Sequence, residues 1–177
     1  MEQFKYDTYC GQYCGACDIM STYKKALENH SDCKWEDLPS QLQKNLPRRV
    51  KTDEFACYGC KSDVVFKGCT KCTVRKCAKE KMNVESCLEC EKYPCITFRI
   101  FNFFRWLMKK KLPHVTLIPE NQNFIKKNGV SAWLEDQERK WKCPECNTHF
   151  TWYMKECKNC GKNLESVKDF RQVRIDT

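Results

Sequence analysis

The sequence lacks the segments that carry a chain to a membrane or across it. Residues 1–5 have no apolar stretch of the kind found in a signal peptide. No run approaches the roughly 18 apolar residues of a membrane span. We therefore expect a cytoplasmic protein with no membrane partner, in a compartment that keeps thiols reduced.

The usual catalytic motifs are missing as well. The sequence has no serine nucleophile motif, no phosphate-binding loop and no H-E-x-x-H pair. It holds only three histidines, His30, His114 and His149. A catalytic zinc site usually recruits histidine or carboxylate and keeps one position open. These absences argue against a hydrolase and favour a protein without enzymatic activity, although the sequence leaves an enzyme open.

Large apolar side chains are scarce, and cysteine takes their place. Apolar residues make up 41% of the 177 residues, but that share includes sixteen cysteines. Such a chain can bury one modest core and needs additional staples. Cysteine at about 9% of the sequence reaches the level of a cysteine scaffold. Because the thiols are expected to be reduced, the cysteines are predicted to bind metal.

Twelve of the sixteen cysteines form C-x2-C pairs. In chain order these pairs are Cys14/Cys17, Cys57/Cys60, Cys69/Cys72, Cys87/Cys90, Cys143/Cys146 and Cys157/Cys160. The spacing of Cys69, Cys72 and Cys77 recurs 18 residues later in Cys87, Cys90 and Cys95. Since two pairs complete a four-thiolate site, the pattern predicts several zinc sites.

The last two pairs predict a zinc ribbon. Their four thiolates would close a tetrahedral structural site, and they belong to Cys143, Cys146, Cys157 and Cys160. Residues 148–153 between the pairs are rich in strand formers, which predicts the β-hairpin of a ribbon. Gly161 relaxes the turn after the second pair. We expect zinc there in preference to a rubredoxin-type iron, and we expect His149 at the surface.

The first four pairs supply two further four-thiolate sites. In one arrangement, the pairs Cys57/Cys60 and Cys69/Cys72 share one metal, and Cys14/Cys17 joins Cys87/Cys90 at another. In the other arrangement, Cys14/Cys17 joins Cys57/Cys60, and Cys69/Cys72 joins Cys87/Cys90. Three single cysteines remain, Cys10, Cys77 and Cys95. They form a three-sulfur set, replace a member of a pair, or are buried thiols. Cys33 could complete a third site, but it stands in a polar stretch and is expected not to bind metal.

Two rival chemistries use the same cysteines. Iron–sulfur clusters also take four thiolates, and the spacing of Cys10, Cys14 and Cys17 resembles a cluster loop, although the ferredoxin run is absent. Cys14 and Cys17 also precede a predicted helix, whose N-terminus stabilises a thiolate. The β-α-β pattern of a thioredoxin-like site is missing. The alternative function is therefore an iron–sulfur or thiol redox protein that uses the N-terminal cysteines.

The predicted fold is small, metal-stabilised α+β. We expect a cysteine-rich metal-binding domain of knuckles and short helices over residues 1–95 and a helical segment packed on it over residues 96–140. The zinc ribbon is expected over residues 141–165 and a tail over residues 166–177. Periodicity predicts helices over residues 18–29, 96–111, 119–128 and 130–140. Asp18 is the expected N-cap of the first helix, Pro113 stops the second, and Gly129 ends the third. Trp133 is expected to be buried.

The net charge of +9, from 32 basic and 23 acidic residues, suggests an anionic partner. Residues 98–99, 104–106 and 109–111 mix aromatic with basic side chains, which could stack on bases and meet phosphates. We favour the interpretation in which these aromatic side chains fill the core and the lysines are solvated. The partner is expected to be a protein or nucleic acid.

Four runs around the N-terminal cysteines form a recognisable pattern. They are YCGQYCGAC at residues 9–17, CYGCK at 57–61, CTKCTVRKCA at 69–78 and CLECEKYPC at 87–95. This pattern resembles the prokaryotic family called domain of unknown function 3795, and residues 129–161 are similar to a ribbon tail seen on some members. The resemblance implies a bacterial or archaeal cytoplasmic protein and brings no activity. It implies that the shared pattern includes Cys10, Cys14, Cys17, Cys57, Cys60, Cys69, Cys72, Cys77, Cys87, Cys90 and Cys95, but not Cys33.

Strong chelation should unfold the N-terminal domain, because its fold depends on metal held by thiolates. Circular dichroism before and after treatment with a chelator measures the loss of structure, and elemental analysis verifies that the metal is gone. A spectrum that is unchanged after verified metal removal would contradict a fold built on metal.

Overall fold

A computed structural model describes residues 3–46 and 49–164, so the predicted tail at 166–177 lies outside the described residues. The α-helices are α1 (Asp18–Glu28), α2 (Ser40–Asn45), α3 (Thr73–Lys76), α4 (Ile96–Met108) and α5 (Ile118–Lys140). Short 3-10 turns lie at Cys14–Ala16, Trp35–Asp37, Thr52–Glu54, Cys69–Lys71, Cys87–Glu89 and Pro113–Leu117, and a π-helical turn lies at Cys77–Met82. Within the described part of the chain, no helix has the length and apolar character needed to span a membrane.

The prediction of an α+β fold that ends in a zinc-ribbon β-hairpin is wrong. The described residues contain no β-strand, and the C-terminal segment has only two isolated antiparallel bridges, Lys142 with His149 and Glu156 with Asn163. Each bridge flanks one cysteine pair, so the residues between the pairs do not fold back on each other. The strand propensity of residues 148–153 is overridden by tertiary contacts.

Those tertiary contacts dock the C-terminal segment on the turn before α1. The backbone N–H of Trp152 donates to the Ala16 carbonyl oxygen at 3.0 Å. The Thr151 hydroxyl donates to Asp18 Oδ1. Asp18 is only 2% exposed, and this burial raises the pKa of its carboxyl to about 7. One backbone N–H and one side-chain hydroxyl from the predicted hairpin segment therefore bond to the start of α1 and the turn before it.

The observed helices agree closely with the predicted ones. α1 begins at Asp18, although Cys17 is the capping residue and Asp18 lies in the first turn. α4 ends at Met108, earlier than predicted. α5 spans the last two predicted helices, but Gly129 has φ 83° and ψ 168° inside it. The predicted break at Gly129 is therefore confirmed, as is the burial of Trp133, which is 1% exposed.

One core connects the beginning of the described chain with its end. Its buried side chains include Tyr13, Ala16, Ile19, Leu38, Leu42, Phe55, Trp133, Trp141, Phe150, Trp152 and Leu164. The Trp141 and Phe150 ring centroids lie 5.4 Å apart, and Trp133 meets Tyr13 edge-on at 5.9 Å. Burial of each large side chain contributes roughly 1.5–3 kcal/mol. The C-terminal segment is therefore part of the same core as α1.

Two buried amides of α5 hold the cysteine-rich loops. Asn121 Nδ2 donates to the Gly11 carbonyl oxygen, and Gln122 Nε2 donates to the Cys10 carbonyl oxygen, both at 2.9 Å. The Tyr93 hydroxyl donates to Gln122 Oε1 at 3.0 Å. Because buried polar groups are costly unless they are paired, these bonds fix the loop at residues 10–11 and the loop at Tyr93, near the two ends of the cysteine-rich segment, against α5.

The expectation that the aromatic side chains of α4 fill the core is wrong for most of them. Phe98 is 1% exposed, whereas Phe103, Phe104 and Trp106 are 57–58% exposed. α4 carries nine large apolar side chains among its 13 residues, and among the helical elements it packs mainly against α3 and the turn at Pro113–Leu117. A helix covered on one side leaves its remaining apolar side chains in water.

His114 lies in an aromatic contact that disfavours its charged form. Its ring stacks on Trp152 with centroids 4.2 Å apart and planes 3° apart, and its Nδ1 lies 2.7 Å from the Tyr153 hydroxyl. Desolvation lowers the pKa of His114 to about 3. The imidazole is therefore neutral in the folded protein at pH 7.

Lowering the pH from 7 to 5 should remove the part of the stability that depends on His114, whereas protonation of the buried Asp18 acts in the opposite direction. The unfolded imidazole binds a proton below about pH 6.5, whereas the folded one stays neutral until about pH 3. The contribution of His114 is therefore lost progressively across that window, by about 1–2 kcal/mol at pH 5. Urea unfolding at both pH values, with equal metal loading, measures the effect.

The matched variants are His114→Asn and His30→Asn, because His30 is an exposed histidine. His114→Asn should lose this part of the pH dependence, and His30→Asn should keep it. Identical pH dependence in all three proteins would refute the assignment to His114.

Candidate metal centre

Four cysteines of the C-terminal segment meet at one point. The sulfur atoms of Cys143, Cys146, Cys157 and Cys160 all lie within 4.8 Å of one another. The Cys143 and Cys160 sulfurs are 3.6 Å apart, and those of Cys146 and Cys157 are 3.5 Å apart. Around a tetrahedral ion with metal–sulfur bonds of about 2.3 Å, sulfurs stand about 3.8 Å apart. The thiols are therefore arranged as a four-cysteine group that can hold a metal ion.

Two turns of the same design place these sulfurs. The Asn147 N–H donates to the Cys143 carbonyl oxygen, and the Gly161 N–H donates to the Cys157 carbonyl oxygen, both at 2.9 Å. Asn147 and Gly161 follow the second cysteine of their pairs and have φ values of 56° and 71°. Glycine and asparagine are the residues that best tolerate this left-handed conformation. The predicted role of Gly161 is therefore confirmed.

The site joins the core to the surface. Cys143 and Cys157 are buried, Cys146 is half-buried, and Cys160 is exposed. The Phe150 N–H donates to the Trp141 carbonyl oxygen at 2.9 Å, next to Cys143. An ion held by four thiolates has no position left for water or substrate, so such a site is structural.

Hydrogen bonding prepares one sulfur for metal binding. The Thr148 hydroxyl lies 3.2 Å from Cys146 Sγ. In the thiol form Cys146 Sγ donates to this hydroxyl. The side-chain and backbone hydrogen bonds of Thr148 lower the pKa of Cys146 to about 5, which favours the thiolate, the form that binds metal.

The other eleven predicted ligands lie in neighbourhoods that are more open. In residues 3–46 and 49–164, the C-terminal group is the one set of three or more cysteines whose sulfurs all lie within 4.8 Å. The N-terminal neighbourhoods are Cys14, Cys17 and Cys57 beside Met20; Cys10, Cys60 and Cys72 beside Val74; and Cys77, Cys87, Cys90 and Cys95 around one small cavity. Cys69 is electrostatically coupled to Cys17 and Cys57. The pair Cys87/Cys90 thus shares its cavity with two single cysteines and not with a second pair.

Close backbone contacts order the first of these neighbourhoods. The Cys17 N–H donates to the Cys14 carbonyl oxygen at 2.9 Å, which closes the turn before α1. Gly59 has φ 111°, and a Cβ there would lie 1.9 Å from the Lys5 carbonyl oxygen. Only glycine fits such an approach, so residues 3–6 can pass directly over the pair Cys57/Cys60.

Burial disfavours the thiolate form of several N-terminal cysteines. Burial raises the pKa of Cys17 and Cys60 to about 12 and raises the pKa of Cys14 well above its ordinary value. Because metals bind the deprotonated sulfur, metal binding at these positions must release protons. Metal affinity there should consequently fall as the pH falls.

Cys33 is not part of the four-cysteine group. It is 4% exposed and packs in the main core with Leu38 and Leu42. Burial raises the pKa of its thiol to about 11, so it behaves as a small apolar side chain.

Three contributors to the cysteine sites did not emerge from the sequence. Thr148 could have been found, because a hydroxyl two residues after a cysteine pair can reach its sulfur. Asn121 and Gln122 carry no such signal, since amides in a polar helical stretch look like surface residues. Their role depends on the packing of α5 against the loop at residues 10–11.

Comparison with protein-family models finds one described as "Protein of unknown function (DUF3795)", which matches residues 6–99. This match covers more than half of the chain and includes the eleven N-terminal cysteines that are predicted to bind metal, as well as Cys33. Searches of curated proteins and of solved structures find no match for the chain.

Replacing Cys160 with serine should remove one metal equivalent and destabilise the fold. The loss of one thiolate opens the tetrahedral set, and structural metal sites contribute several kcal/mol to folding. Metal content by elemental analysis and urea unfolding measure both effects. The control Cys33→Ser should keep the full metal content, because Cys33 lies in the core away from the sulfur clusters. Equal metal content in both variants would contradict this assignment.

Proposed function

The chain belongs to the family of proteins of unknown function DUF3795, and we propose that it is a non-enzymatic binding module held together by zinc. In this proposal, α4 docks an acidic amphipathic helix of a partner protein. The exposed apolar face of α4 is the observation that carries the proposal. Zinc supports the scaffold, and the face supplies the contact.

Zinc fits the C-terminal four-cysteine group best. Four thiolates at tetrahedral spacing are a common structural set for zinc, which has no redox chemistry of its own. All sixteen cysteines fall within the described ranges and are free thiols. The proposal therefore places the protein in the cytoplasm, where reduced thiols remain available for metal. Elemental analysis separates zinc from iron at this group.

The apolar face of α4 has the spacing of a helix-docking stripe. Its central members lie four, three and four residues apart and are 48–70% exposed: Ile96, Ile100, Phe103 and Leu107. This spacing repeats the seven-residue pattern by which one helix packs along another. Monomeric proteins seldom expose so many contiguous large apolar side chains without a partner.

Aromatic side chains beside the stripe are already ordered against one another. Phe103 stacks on Trp106 with centroids 6.4 Å apart and meets Phe104 at 5.9 Å. Lys109 Nζ lies 5.3 Å from the centre of the Trp106 ring. Aromatic anchors of this kind contribute most of the binding energy in protein interfaces, and their prior order reduces the entropic cost of docking.

The charges around the face select an acidic partner. Arg99 and residues 109–111 are exposed beside the stripe, and the chain carries a net charge of +9. Complementary charge speeds association and excludes partners of the same sign. Isoleucine and leucine offer no flat surface on which a base could stack. Arg105 Nη1 already donates to the Val115 carbonyl oxygen. The aliphatic stripe therefore favours a protein helix over nucleic acid.

Binding of designed helical peptides tests the proposal. The probe carries leucines along one face and glutamates on both flanks, and fluorescence anisotropy measures its affinity. Phe103→Ala with Trp106→Ala should weaken binding at least tenfold, because both rings are anchors. Leu27→Ala, which removes a 42% exposed side chain on α1, should leave the affinity unchanged.

Two control peptides, an oligonucleotide and a measurement of self-association distinguish an acidic helix from other occupants of the α4 face. A peptide with lysines in place of glutamates, and one with the same composition but a scattered apolar pattern, should bind at least tenfold more weakly. The proposal fails if the acidic peptide does not bind or binds the double variant equally well. It also fails if Phe103→Ala with Trp106→Ala abolishes instead the binding of single-stranded oligonucleotides or the self-association of the chain.

A further inference from the structure

A second group of four cysteines surrounds a cavity at the N-terminal end of α4. The cavity is lined by Cys77, Cys87, Cys90 and Cys95 together with Ala78, Met82, Val84 and Tyr93. Cys87, Cys90 and Cys95 are the whole second copy of the repeated cysteine spacing, and Cys77 is the last cysteine of the first copy. The group shares no residue with the C-terminal site.

The spacing of these sulfurs differs from that of the C-terminal group. No three of them lie within 4.8 Å of one another, whereas the four C-terminal sulfurs do. A single tetrahedral ion requires sulfurs about 3.8 Å apart. In an iron–sulfur cluster with four irons, each thiolate binds a different iron, so the sulfurs stand farther apart around a cofactor larger than one ion. Four cysteines that line one cavity without a close set of three sulfurs therefore favour a cluster over a single ion.

Rigid turns hold all four cysteines around the cavity. Cys77 opens the π-helical turn after α3, a type of turn often found at functional sites. The Cys90 N–H donates to the Cys87 carbonyl oxygen at 3.3 Å, and the Tyr93 N–H donates to the Cys90 carbonyl oxygen at 2.9 Å. Cys95 caps the 13-residue helix α4, whose N-terminus favours negative charge.

The surroundings of the cavity are apolar. Ala78 is 2% exposed and Phe98 is 1% exposed. The Tyr93 ring meets Phe98 edge-on at 4.9 Å, while its hydroxyl is bonded to Gln122. The shell around an iron–sulfur cluster controls solvent access to it, and these side chains provide such a shell.

We propose that Cys77, Cys87, Cys90 and Cys95 ligate one cluster of four irons and four sulfides. This site is independent of the zinc-supported binding function proposed above. The cluster enters by ligand exchange from a donor cluster capped by four small thiolates. Each cysteine thiol transfers its proton to one leaving thiolate, and its sulfur takes that thiolate's place on one iron. Four thiols enter and four thiols leave, so no electron moves and no oxidant is needed.

The test uses a synthetic four-iron cluster capped by 2-mercaptoethanol, added without oxygen to the full chain. Bound iron and sulfide after gel filtration give the stoichiometry, and broad visible absorbance reports the cluster. Cys90→Ser should bind about four irons and four sulfides fewer than the unaltered chain. Cys33→Ser should bind as much as the unaltered chain. Equal iron content in Cys90→Ser and the unaltered chain would overturn the proposal.

Alkylation of the unaltered chain avoids any variant that fails to fold. After cluster loading, Cys77, Cys87, Cys90 and Cys95 should react with iodoacetamide at least tenfold more slowly than before loading, as measured by mass spectrometry. The proposal is overturned if the chain takes up no cluster, or if these four cysteines remain as reactive as before. It is also overturned if anaerobically purified protein is colourless and zinc protects these four cysteines.

Discussion

The fold depends on the contact between the C-terminal segment and the turn that precedes α1. The Trp152 N–H bonds to Ala16, and the Thr151 hydroxyl bonds to Asp18. These two bonds lie between the two C-terminal cysteine pairs, and they bring the four-cysteine group into the core that contains Tyr13 and Trp133. Without them, the C-terminal group would be a separate small unit. With them, one core of limited apolar content serves both ends of the chain.

The contact also shows where sequence reasoning succeeds and where it stops. The starts of the helices at residues 18 and 96, the break at Gly129 and the turn at Gly161 follow from local backbone preferences, which a sequence displays directly. The four C-terminal ligands follow from their spacing alone. The missing β-hairpin could not be foreseen in the same way, because residues 148–153 have strand propensity and lose their pairing to a partner more than a hundred residues away. Propensity describes a residue's local preference and carries no information about such a partner.

The exposure of α4 could not be predicted from the sequence for a related reason. Its composition is that of a buried helix, and Phe98 is in fact buried. The number of neighbours available to cover Ile96, Phe103 and Trp106 depends on how the short helices around α4 are placed. The cysteine-rich segment supplies few large apolar side chains, so one side of α4 finds support and the remainder faces water. The scarcity of large apolar side chains thus leaves an apolar surface of α4 exposed.

The core has a consequence for the order of events during synthesis. Its members range from Tyr13 to Leu164, so synthesis must reach residue 164 before the core can close. The cysteines of residues 10–95 all leave the exit tunnel earlier, while the turn at Ala16 still lacks its partner Trp152. These thiols are therefore present on a nascent chain that has no completed core. This order of synthesis leaves them accessible before residues 141–164 dock and complete the core.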